Sequence, residues 1–134
     1  MPIQYSEAQD VKKLADEIMN SLGFFHVVPQ FVYCVRSRES TSQRTIARIH
    51  GFGRIWQETL NLPASYVIEV ISERYDCLSE EEKEKTIIHE LMHIPSGFTG
   101  GFRPHKGYID HKTVESMHRA LKKQRAGKED KFLK

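Results

Sequence analysis

The stretch from Ser79 to Pro95, SEEEKEKTIIHELMHIP, constrains this chain most, because every local signal in it agrees on one helix. Ser79 followed by Glu82 has the spacing of a capping box, and Glu80, Glu81 and Glu82 crowd the end where the helix dipole favours negative charge. Ile87, Ile88, Leu91 and Met92 recur as an apolar stripe that must be buried. Pro95 stops the helix.

That helix carries His89-Glu90-Leu91-Met92-His93, an H-E-x-x-H pentapeptide. Two histidines four residues apart project from one helix face about a turn apart. Imidazole nitrogens so placed can bind one zinc ion, and Glu90 can take a proton from a zinc-bound water without being a ligand. Histidines are favoured near a helix C-terminus for their charge alone. The capped, half-buried setting argues for the metal.

The chain has 134 residues, enough for one domain with a modest core. Its 39% hydrophobic and 28% charged residues are those of a soluble globular protein, and a formal charge of +2 does not by itself argue for nucleic acid or membrane. No apolar run approaches membrane-spanning length and Met1-Pro2-Ile3-Gln4 begins no secretory signal, so a cytoplasmic location is expected. Cys34 and Cys77 make no disulfide framework.

In chain order, Ser6 with Gln9 suggests a capping box for an amphipathic helix over 7–22, with Val11, Leu14, Ile18, Met19 and Leu22 facing the core and Gly23 at its end. Residues 31–36 (FVYCVR) alternate as a strand, where Cys34 is expected to be a buried, inert thiol; His26 lacks a partner at metal spacing. Residues 45–62 are ambiguous between strand and helix. Arg44, Arg48 and Arg54 beside Trp56 offer a possible basic-aromatic nucleic-acid surface, but a solvated face around a core tryptophan is the expected outcome. Residues 66–72 (YVIEVIS) form the clearest strand, and PSGFTGGFRPHKG over 95–107 a shaped loop. Asp110 caps a last helix that buries Val114, Met117, His118 and Leu121, and a basic, flexible tail is expected over 125–134. The whole is an α+β domain over 1–124: N-terminal helix, small three-stranded sheet, H-E-x-x-H helix, C-terminal helix.

Catalytic zinc keeps three protein ligands and a water. His105 is the expected third ligand, because the glycine-rich loop can carry it to the metal; Glu115 and His111 are the alternatives, and Asp110 is better used as the cap. The metzincin pattern would require a histidine where Thr99 stands. With zinc in place the expected chemistry is peptide-bond hydrolysis by a zinc-activated water, with Glu90 as general base and Tyr108 or Arg103 donating to the oxyanion. The exposed edge of strand 66–72 could hold an extended peptide substrate.

The run from Tyr66 to Tyr108, with HELMHIP followed by a glycine-rich loop and Arg103-Pro104-His105, resembles the metallopeptidases found in archaea and phages. More broadly it is similar to the SprT-like small zincins, whose third histidine is followed by glycine and an aromatic, here His105-Lys106-Gly107-Tyr108. The resemblance implies a minimal zincin-like fold, zinc on His89, His93 and His105, catalytic Glu90, and a protein or peptide substrate; it leaves DNA association open. Peptide deformylase also uses H-E-x-x-H, but Cys77 stands too far along the chain from His89 to be its third ligand, and the YbeY-like ribonucleases lack Glu90. A non-catalytic zinc module for a protein or nucleic-acid partner is the alternative function; it would close its metal with a fourth protein ligand.

Overall fold

The computed structural model describes residues 2–40, 43–103 and 109–133, the last five by backbone alone. The elements run β1 (Gln4–Glu7), α1 (Gln9–Ser21), β2 (Val32–Arg38), β3 (Ala47–Gly51), α2 (Arg54–Leu60), β4 (Tyr66–Ile71), α3 (Ser72–Tyr75), α4 (Glu80–Met92) and α5 (His111–Leu133). The expected α+β architecture is present, but the sheet has four strands rather than three, in the order β1-β2-β4-β3. The added strand, β1, is Gln-Tyr-Ser-Glu, exposed throughout and without apolar alternation. It is a strand because β2 offers it a ladder, with Tyr5 opposite Ser37 and Glu7 opposite Val35.

This strand also corrects the start of α1. Ser6 is paired with Arg36 in the sheet and cannot cap, so Ala8 stands at the N-cap without a side-chain bond and the helix begins at Gln9. Val11, Ala15, Ile18 and Met19 are buried on one face of α1. The Phe24 N–H reaches back to the Met19 carbonyl at 3.0 Å around Gly23, whose φ of +67° is the left-handed turn that ends a helix.

β4 lies between β2, to which it is parallel, and β3, to which it is antiparallel. One face of the sheet carries the core, with Val32, Cys34, Tyr66, Ile68 and Val70 buried beneath α1 and α4. Burial pushes the Cys34 thiol up to about 12, so it is inert, and both cysteines are free. On the opposite face Glu69 is buried beneath Arg48 and His50 of β3, which reach it at 2.8 Å each.

The ambiguous segment 45–62 resolves as β3 followed by α2. Ile49, Phe52, Trp56 and Leu60 therefore do not form one helical stripe, since the first lies in a strand and the last two in a short helix. Trp56 is 58% exposed and α2 buries no residue, which corrects the expectation of a core tryptophan. At the far end α5 continues to Leu133, past the expected start of the tail, and Arg125 on it pairs with Glu17 and Glu84. His118 is buried and meets Glu84 at 2.8 Å, facing the core as expected. No described helix is long and apolar enough to cross a membrane.

Candidate metal centre

α4 forms where its sequence predicts. The Ser79 hydroxyl accepts from the Glu82 N–H at 3.2 Å, and Ile87, Ile88, Leu91 and Met92 are buried. This packing fixes the helix rotation and turns His89 and His93 to the opposite, half-buried side. Their ring centroids lie 5.2 Å apart with planes at 69°. His93 is the C-cap residue, and its Nδ1 stands 3.0 Å from the Arg103 carbonyl oxygen. A carbonyl only accepts, so Nδ1 carries the proton and Nε2 keeps its lone pair. Imidazoles that ligate metals are commonly oriented by such a bond.

Glu90 lies between the two histidines and is 7% exposed. Burial pushes its carboxyl up to about 7, the range in which a carboxyl can take and return a proton near neutral pH. A cation beside it would draw the value down again.

Two adjoining clefts meet at His89 and Glu90. One is walled by Ala47, Ile49, His93, Phe102 and Arg103, the other by Ile46, Thr86, Val114 and Glu115. Along both runs β3, and its ladder decides what it offers. The Ile71 N–H donates to the Ile46 carbonyl and the Phe52 N–H to the Ser65 carbonyl, at 2.8 and 2.9 Å. Pairing across an antiparallel ladder alternates, so Arg48 and His50 are also turned toward β4, whereas Ala47 and Ile49 turn their N–H and carbonyl groups to the open edge. Strand 66–72, expected to be an exposed edge, is instead the central strand β4 with both sides paired. Among the described residues, the unpaired edge beside the histidines belongs to β3.

A family model described as "Putative phage metallopeptidase" matches residues 3–125. The chain belongs to that family. No curated protein and no solved structure matches it.

Membership in this metallopeptidase family implies a metal ion, and the donors present suit one: two imidazoles on one helix face, one of them already oriented through its second nitrogen. Among the described residues no group of three His, Cys, Asp or Glu side chains converges. His105, the expected third ligand, and Tyr108, the expected oxyanion donor, lie outside the described residues. Glu115 borders the cleft, but its carboxylate is held by Lys85 at 2.9 Å, which lowers its pKa. His111 is 89% exposed, 3.8 Å from Glu115. Asp110 caps α5, accepting from the Thr113 N–H at 2.7 Å. Arg103 lines the cleft, and its guanidinium donates to the Ser96 hydroxyl at 2.7 Å.

Of the basic-aromatic surface, Arg48 is engaged by Glu69 and Arg54 by Glu58 at 3.1 Å, so two of its three cations are answered within the chain. Sequence reasoning missed the edge position of Ala47 and Ile49, which depends on strand order, and the bonds of the Tyr66 hydroxyl to the Gly100 N–H and the Gly101 carbonyl. Nothing local in the sequence marks either.

Proposed function

We propose that this chain is a zinc-dependent peptidase that cleaves extended polypeptide, with His89, His93 and His105 holding the metal and Glu90 handling the proton. The observation that carries this reading is the arrangement on α4: two imidazoles on one face with a buried carboxyl beside them, all lining a cleft along the edge of β3 that is unpaired among the described residues. A bound zinc ion would supply a Lewis acid and an acidified water.

The chain's own groups do the rest. Ala47 and Ile49 pair with the substrate main chain as an added strand, which holds a peptide extended across His89 and Glu90. Glu90, as the carboxylate, takes a proton on its Oε from the attacking water and gives it to the departing amine. The Arg103 guanidinium, in the same cleft, donates to the carbonyl oxygen as charge develops, with Tyr108 as the other candidate for that role.

The test is the metal content of the wild type beside Glu90→Gln, with cleavage of a denatured protein measured for each, with and without DNA. Glu90→Gln should retain metal and lose cleavage by about 100-fold or more. A wild type that binds metal but cleaves nothing under either condition would make the chain a non-catalytic zinc module.

A further inference from the structure

The geometry points to Tyr66 as a positioning residue of this metal centre: its hydroxyl clamps the glycine-rich loop that presents the Arg103 carbonyl to His93, and so decides which nitrogen His93 offers to the metal. The inference rests on the zinc reading for its consequence, but its structural content can be measured without any metal.

Tyr66 opens the central strand and is fully buried. Its hydroxyl is used twice, accepting the Gly100 N–H at 2.9 Å and donating to the Gly101 carbonyl at 2.7 Å. Its ring packs on two residues of the same loop, Phe98 and Phe102, at centroid distances of 5.1 and 5.9 Å. The opposite side of the loop is fastened as well. The Gln57 amide donates to the Phe52 carbonyl at 2.6 Å and to the Thr99 carbonyl at 2.8 Å. Gly100, at φ +94°, is pressed so close to Phe52 that a Cβ there would lie 2.2 Å from the Phe52 carbonyl oxygen. Two residues beyond Gly101, the Arg103 carbonyl receives the His93 Nδ1–H.

The clamp therefore lies upstream of the imidazole. Replacing Tyr66 by phenylalanine keeps the ring contacts but leaves a buried N–H and a carbonyl unanswered, so the loop must shift to rehydrate them. Any such shift moves the Arg103 carbonyl away from Nδ1. Once that carbonyl no longer fixes the proton on Nδ1, the imidazole exchanges tautomers, and a fraction of the molecules then point a protonated Nε2 at the metal.

The experiment compares wild type, Tyr66→Phe and Val11→Ala, the last a core truncation in α1 that lowers stability without touching the loop. Zinc affinity is measured by competition with a chromophoric chelator. The His93 tautomer is read from the imidazole nitrogen resonances of the metal-free proteins at about pH 8, where an ordinary imidazole is neutral. The expected result is one tautomer, protonated at Nδ1, in wild type and Val11→Ala, and a mixture in Tyr66→Phe with zinc bound about tenfold more weakly. The inference is overturned if Tyr66→Phe keeps both the single tautomer and the wild-type affinity, or if Val11→Ala weakens zinc binding as much. A wild type that takes up no zinc removes the peptidase reading and leaves the tautomer to decide the clamp: a mixture in Tyr66→Phe upholds it, a single tautomer ends it.

Discussion

His93 and Arg103 hold each other twice: the Arg103 N–H donates to the His93 carbonyl at 2.7 Å, and the His93 Nδ1–H donates to the Arg103 carbonyl at 3.0 Å. The nine residues between them are closed into a ring whose two ends are a candidate ligand and a cleft residue. This is how a loop rich in glycine, with little intrinsic preference for any shape, comes to have one beside the metal centre.

The same pairing bears on the third ligand. Arg103 brings the backbone to His93, and the two residues from there to His105 span about 7 Å of extended chain at most. His105→Ala should therefore lower bound zinc to well under half of the wild-type content, whereas Glu115→Gln and His111→Ala should leave it near one equivalent. Metal analysis after dialysis reads the result, and full retention by His105→Ala transfers the assignment to Glu115.

The edge of β3, unpaired among the described residues, predicts a variant that damages substrate binding alone. Ala47→Pro removes an N–H that faces the cleft rather than β4, at the first residue of an edge strand, where proline is tolerated. Zinc content and thermal midpoint should stay close to wild type while kcat/KM on a peptide falls about tenfold, the worth of one main-chain hydrogen bond. Unchanged kcat/KM would mean that the substrate does not pair with β3.

The loop and the sheet corner are interlocked through two glycines. A Cβ on Gly51 would lie 2.1 Å from the Gly100 carbonyl oxygen, and one on Gly100 2.2 Å from that of Phe52. Both contacts are to backbone, which cannot rotate away, and Gly100 also occupies a positive φ. Gly100→Ala should cost about 3 kcal/mol in denaturant unfolding, and Gly53→Ala, whose Cβ would meet nothing within 4 Å, under about 1 kcal/mol. Equal costs would contradict this packing.

Glu69 supplies a pH dependence. Burial alone would raise its carboxyl, but hydrogen bonds from Arg48 and His50 more than offset this and hold it down to about 2. A folded value below the unfolded one, about 4.3, means that the stabilisation is complete above about pH 5 and is lost as pH falls through the folded value. Glu69→Gln should be less stable than wild type at neutral pH by roughly 2 kcal/mol, a figure discounted because Arg48 and His50 are partly solvated. In urea melts across pH that difference should close between about pH 5 and pH 2. A gap that stays constant would show that the charge on Glu69 does not contribute.

The sequence by itself determined α4 and what it carries, because the cap, the acidic first turn, the apolar stripe and the histidine spacing are all local, and tertiary packing had only to accept them. It determined the end of α1 at Gly23 and the start of α5 at Asp110 for the same reason. Only the tertiary structure decided which strand is an edge. Tyr66–Ile71 reads as an isolated apolar strand, yet it is central because β2 and β3 both pair with it, and β1 exists only because β2 has a free side. Residues 45–62 were ambiguous since Ile49, Phe52, Trp56 and Leu60 match a helical period that the chain does not follow past Gly51. The function of the Tyr66 hydroxyl was illegible for a related reason: its partners, Gly100 and Gly101, lie 34 and 35 residues away, and contacts at that distance are set by strand order and loop closure rather than by any local pattern.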